Sequence, residues 1–229
     1  MSDTAVSWLP EGAAGATLGG LRERKKREMR ARLSGVATRM FLERGFAEVR
    51  VTEIAEACGV SERTVFNYFP TKESLLLDRF DDTLSALRTA LANPAAVPLP
   101  STFAVLDAEL RGLTGWLGTQ PDPAEAAATI RRFRALTTST PELRAHQHDM
   151  VDLLTGTVTG LLAARVGASD DAPEAHIAAV ALLGLWRVQG ASLQRHLRAG
   201  NDPTRVHDLV SADVRAAAAT IAPIFERFA

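Results

Sequence analysis

The chain has one cysteine and one tyrosine, and aromatic residues make up only 6% of its 229 positions. A lone thiol excludes a disulfide framework and any cysteine-rich zinc site. Net charge is also nearly absent, at −1. That rules out a uniformly basic coat for nucleic acid, although a local basic face survives the test. Long apolar runs are missing too. The longest, Ile177 to Trp186, has ten residues, against the roughly 18 that a membrane helix needs. No membrane span is therefore expected. The opening Met-Ser-Asp-Thr has neither a basic segment nor an apolar one, so no secretory signal is expected and a cytoplasmic location is predicted.

What is present points to a folded, helical chain. Hydrophobic residues reach 46% and charged residues 23%, near the globular average and far from disorder. Apolar positions recur at helical spacing, and no alternating strand pattern appears. The first helix is predicted at about 22–44, from Met29, Leu33, Val36, Ala37, Met40 and Phe41. Gly45 stops it. Short helices follow at about 51–58 and 61–68, with Ser61 as N-cap of the latter. The steps Leu76, Phe80, Leu84, Leu87 and Leu91 predict a long fourth helix beginning after Pro70-Thr71, and Asn93-Pro94 with Pro98 and Pro100 predicts a loop. Asp122-Pro123, Thr140-Pro141, Asp171 ahead of Pro173, and Asp202-Pro203 read as caps that precede helices. Those helices fall at about 101–118, 122–138, 141–165, 172–198 and 203–228. The fold class is all-α, with nine helices.

Charge is unevenly shared. Residues 21–72 carry a net +5 and residues 73–229 a net −4. Three parts are predicted: a flexible glycine-rich tail at 1–20, a basic unit at 21–72 and a larger acidic unit at 73–229. Within the basic unit, Ile54-Ala55-Glu56-Ala57-Cys58-Gly59-Val60-Ser61 has the shape of a helix-turn-helix. Ala55 lets two helices approach, Gly59 takes the positive φ of the turn, and Val60 plugs the core behind the second helix. The polar residues Ser61, Glu62, Arg63, Thr64, Asn67 and Tyr68 then face outward, where a helix entering a major groove reads base edges. Arg22, Arg24, Lys25, Lys26, Arg27, Arg30 and Arg32, diluted by Glu23 and Glu28, form a basic run ahead of the motif. Its charge would attract phosphates.

Phe41-Leu42-Glu43-Arg44-Gly45-Phe46, the helix-turn-helix, and Arg63-Thr64-Val65-Phe66-Asn67-Tyr68-Phe69-Pro70-Thr71-Lys72-Glu73-Ser74-Leu75-Leu76 together resemble the tetracycline-repressor (TetR) family of bacterial regulators. The resemblance implies a homodimer whose N-terminal domain binds double-stranded operator DNA. It also implies a divergent C-terminal domain that dimerises and binds a small-molecule inducer. Carried over by position, Thr52, Ser61, Arg63, Thr64, Asn67, Tyr68 and Lys72 are the expected DNA contacts. Tyr68 and Lys72 would hold phosphates, and Arg63 and Asn67 would read bases. Arg50 departs from the family's usual threonine. It removes a hydroxyl cap worth about 1 kcal/mol unless Thr52 or water substitutes, and adds a further candidate phosphate contact. Cys58 replaces a common alanine and is expected to be a buried, inert thiol.

The acidic unit has no catalytic signature, which counts against an enzyme. His146 and His148 stand two apart on a helix and point about 200° apart, so they do not chelate a metal from one face. No metal or cofactor is implied. Trp116, Phe133, Met150, Leu153, Leu154, Trp186 and Gln189 are candidates for an apolar pocket. Arg131, Arg132 and Arg134 would suit either solvent or an anionic end of a ligand. The resemblance makes the helices at 172–198 and 203–228 the dimer helices, where Gly184 and Gly190 would let another backbone come close. The expected function is a repressor released from a palindromic operator by a small hydrophobic ligand. A ligand-independent regulator, an activator, and a helical adaptor that binds only protein are the competing readings.

Overall fold

The computed structural model describes residues 20–77, 80–93 and 95–228, with the backbone alone at Phe80 and Asp81. The predicted tail lies outside these residues except for Gly20. Nine α-helices are found among them, α1 (Leu21–Arg44), α2 (Val51–Ala57), α3 (Glu62–Tyr68), α4 (Phe80–Ala92), α5 (Pro98–Thr119), α6 (Pro123–Ser139), α7 (Pro141–Arg165), α8 (Pro173–Arg198) and α9 (Pro203–Phe225). Short 3-10 turns lie at Glu73–Leu75 and Glu226–Phe228. The all-α expectation holds, and most helix boundaries fall within a few residues of those predicted.

Three local expectations fail, each for a physical reason. The fourth helix does not run on from Thr71. Thr71 and Ser74 instead close on each other, the Ser74 amide donating to Thr71 Oγ1 at 3.1 Å and the Ser74 hydroxyl to the Thr71 carbonyl at 2.7 Å. Such side chain to backbone bonds compete with helix. Leu75 and Leu76 are buried there, in the core that also holds Leu33 and Phe41. The apolar period therefore crossed an element boundary. The loop expected at Pro98 and Pro100 is really the first turn of α5. First-turn amides have no intrahelical partner, so proline loses nothing there. Asp171 does not cap α8. It accepts a bond from the Ser169 hydroxyl, and the N-cap is Ala172 with no side-chain bond. Asp122 and Asp202 do cap their helices, accepting from the Glu125 and Arg205 amides at 3.0 Å.

The described chain divides into two units. The first contains the chain through Phe80 together with Arg132–Gln147, the end of α6 and the first turns of α7. Its core is built from Leu33, Ala37, Phe41, Val49, Ile54, Val65, Phe69 and Leu75, and Leu143 of α7 is fully buried among them. Phe133 and Leu136 of α6 pack against the same cluster.

The second unit contains residues 81–131 and 148–229. Here α8 and α5 both pack on α9. By length and composition α8 could cross a bilayer, contrary to the expectation from its short apolar run. Its buried residues, Ala178, Ala179, Leu182, Leu183 and Leu185 among them, serve the core instead. Polar ties fix the helix pairs. Asp213 of α9 accepts from Ser192 at 2.5 Å and also meets Arg195 and His196 of α8. The Ser192 hydrogen bond is the main reason its carboxyl titrates below the usual range. Asp107 of α5 meets His207 of α9 at 3.2 Å.

Candidate nucleic-acid interface

The helix-turn-helix is held by its own backbone and by two caps. Ile54 and Ala55 of α2 are buried, and the Val60 amide returns to the Ala55 carbonyl at 3.0 Å. Between them Gly59 sits at φ +63°, a left-handed conformation that glycine adopts without cost. Ser61 Oγ accepts from the Thr64 amide at 3.1 Å and shares a 2.8 Å hydrogen bond with the Thr64 hydroxyl. Thr64 is thus partly committed to the start of α3.

The cap lost at Arg50 is replaced, though not by Thr52, which is exposed. The Arg50 amide donates to Glu53 Oε2 at 2.7 Å, the reciprocal half of a capping box. A guanidinium has no acceptor, so the other half cannot form. Glu53 also pairs with Arg44 at 2.8 Å, tying the end of α1 to the start of α2. These bonds lower the Glu53 carboxyl pKa, with the Arg44 contact the larger cause. The spacing of an acid at the third helical position was visible in the sequence, but its importance here was missed.

Val65 is fully buried, and this sets which way α3 faces. At about 100° per residue, Arg63 and Asn67 fall nearly opposite Val65, and both are exposed. Glu62 and Phe66 lie beside Arg63 and are exposed as well. The two candidate base-reading side chains therefore share one solvent-facing strip, with exposed Arg50 and Thr52 at the start of α2 in the same unit.

The candidate phosphate contacts are less free. Tyr68 is half-buried, and its carbonyl accepts from Arg30 Nη1 at 2.9 Å. The Arg30 guanidinium also lies 4.5 Å from the centre of the Phe69 ring. Arg30 therefore joins α1 to the end of α3, and one member of the basic run is spent on structure. Lys72 Nζ donates to the Phe46 carbonyl at 2.5 Å and lies 4.4 Å from the Phe46 ring centre. Burial pushes its pKa down. Cys58 is buried, and burial raises its thiol pKa.

The candidate pocket residues are distributed unevenly. Phe133 belongs to the first unit, against the helix-turn-helix core. Trp116, Met150, Leu154, Trp186 and Gln189 belong to the second. Leu154 is buried and the other four are half-buried, whereas Leu153 is exposed. The indole of Trp186 donates to Glu109 Oε2 at 2.9 Å, and Thr83 donates to Glu109 Oε1 at 2.6 Å. Glu109 had no local signal in the sequence, because its partners are 26 and 77 residues away. Among the described residues no cluster of His, Cys, Asp and Glu could hold a metal.

Residues 35–78 match the family model for bacterial regulatory proteins of the tetR family. The chain is 32% identical over 162 residues to the HTH-type transcriptional regulator TcmR of Streptomyces glaucescens, covering 66% of each chain. It is 30% identical over 118 residues to a protein described as a mycofactocin biosynthesis transcriptional regulator, MftR, of Mycobacterium tuberculosis, covering 52% of this chain and 56% of that one. The matched region thus spans less than two thirds of either relative. A solved TetR-family regulator from Mesorhizobium loti aligns with 86% of this chain and 98% of its own, at 18% identity and a TM-score of 0.46. The family model falls on the capped turn and outward helix described above, and the chain belongs to the tetR family of bacterial regulatory proteins.

Proposed function

We propose that this protein is a sequence-specific transcriptional repressor that binds a palindromic operator as a homodimer and is released by a small hydrophobic ligand. The observation that carries the reading is the outward strip of α3. Arg63 and Asn67 face solvent on a helix held by the Ser61 cap, inside the segment that matches the family model. In this reading residues 21–72 bind DNA, and residues 73–229 dimerise and bind ligand. Selection of bound fragments from genomic DNA tests it. The enriched sites should be palindromes with half-sites about 10 bp apart, or a multiple of that turn. Absence of enrichment over random duplex would reject the reading.

Dimerisation is supported by α8, which is apolar on a second face. Ile177 and Val180 are 59% and 48% exposed, and Gly184 follows at the next step of the same stripe. A Cβ added at Gly184 meets nothing within 4 Å inside the protomer. Gly184→Leu should therefore leave the protomer folded while overfilling a helix-to-helix contact, at a cost of about 1–3 kcal/mol. Sedimentation should show a shift towards monomer, with thermal unfolding at matched association state unaltered. An undisturbed dimer would move the interface off this stripe.

The ligand reading is supported by the half-buried Trp116, Met150, Trp186 and Gln189 and the buried Leu154, all of which belong to the second unit. A hydrophobic inducer should change the fluorescence of Trp116 and Trp186 over the concentration range in which it lowers operator affinity, because linkage makes the two effects reciprocal. Operator release with both tryptophans silent would place the ligand elsewhere.

A further inference from the structure

We propose that Phe66 reads sequence, by packing its ring against the C5-methyl group of a thymine in the major groove. The inference rests on the DNA-binding reading above. Phe66 is 43% exposed, on a helix of only seven residues. Lone exposed hydrophobes are common on protein surfaces and need no explanation. This one differs in its neighbours. Val65 and Phe69 supply the buried face of α3. Phe66 stands about 100° round the helix from Val65 and about 60° from Arg63. Of the outward residues Glu62, Arg63, Phe66 and Asn67, it alone is apolar.

Its chemistry narrows the partner. A phenyl ring has no hydroxyl, so it cannot hydrogen-bond a phosphate or a base edge. Among groups displayed in the major groove, the thymine C5-methyl is the apolar one. A ring left in water beside Arg63 gains by covering that methyl, and the contact distinguishes T·A from the other pairs. Arg63 and Asn67 would read polar edges while Phe66 reads the methyl next to them.

The test uses the full chain and an operator obtained by selection. Each thymine is replaced in turn by deoxyuridine, which removes only the methyl. At one position per half-site the replacement should weaken wild-type binding about fourfold, or about 15-fold when both half-sites are changed. Phe66→Ala should bind thymine and deoxyuridine operators equally at that position. Phe66→Leu, which keeps an apolar side chain, should retain part of the discrimination. Phe66 is more than half covered, so truncation costs some stability, and both variants are titrated at a temperature where melts show them folded. The proposal is overturned if no thymine position responds in wild type, or if the deoxyuridine cost persists undiminished in Phe66→Ala. Failure of wild type to select any operator would instead overturn the DNA-binding reading itself.

Discussion

Arg63→Ala is expected to weaken operator binding by about 1–3 kcal/mol per half-site and to relax the base preference at one pair in each. A dimer presents the residue twice, so the total loss is the largest expected from any single substitution in α3. The side chain is exposed opposite buried Val65. Among the described residues it has no hydrogen bond or ion pair, so its removal should leave stability nearly unaltered. That separates it from Lys72, whose ammonium is bonded to the Phe46 carbonyl and lies over the Phe46 ring. Lys72→Ala should cost about 1–2 kcal/mol of folding stability, with little change in the salt dependence of binding. Anisotropy titrations at several salt concentrations, a repeated binding-site selection and denaturant melts distinguish the two residues. If Arg63→Ala returns the wild-type motif, Arg63 touches only backbone. If Lys72→Ala lowers the salt slope by about one with unaltered stability, its ammonium leaves the rings for a phosphate when DNA binds.

Arg165→Ala should destabilise the second unit by about 3–5 kcal/mol, since charge-assisted hydrogen bonds are each worth about 1.5–3 kcal/mol and their acceptors are left unpaired. Among the described residues, one guanidinium at the end of α7 donates to four carbonyls. Nε reaches Phe228 at 2.9 Å, Nη1 reaches Leu91 at 3.3 Å and Asn93 at 2.9 Å, and Nη2 reaches Ala96 at 2.5 Å. The Leu91 carbonyl is in the last turn of α4, where helix carbonyls have no partner within the helix. The same side chain thus closes α4, shapes the turn after it and holds the C-terminal 3-10 turn. Arg165→Lys should recover only part of the loss, because an ammonium cannot span the fork of a planar guanidinium. Urea melts followed by circular dichroism give the comparison. A loss under about 1 kcal/mol would show that water replaces the guanidinium at these carbonyls.

Much of the helix-turn-helix unit was legible because its signals are local. Gly59, Ser61 and the apolar steps of α1 act over one to four residues, and the structure places each in its expected role. The candidate pocket was less legible. Trp116, Met150 and Trp186 could be assigned to helices but not to neighbours, since any packed helix carries such a stripe. The anchoring of Trp186 by Glu109 joins α8 to α5, and no pattern within either helix announces it. The start of α4 was misplaced because Leu76 keeps the helical period while being buried in a different core.

The sequence by itself determined the all-α class, the two-sided charge and the helix-turn-helix, because period, capping and turn chemistry depend on residues close along the chain. Only the tertiary structure decided where the long-range groups are spent. Leu143 stands among polar residues at the start of α7, yet it is fully buried with Phe41 and Phe69, about a hundred and about seventy residues earlier in the chain. Arg30 and Arg165 look like solvated helix charges, and each closes on backbone carbonyls of distant segments. A side chain's periodicity shows which way it leaves its own helix. What it meets there depends on how other helices pack, and that depends on burial summed over the whole unit.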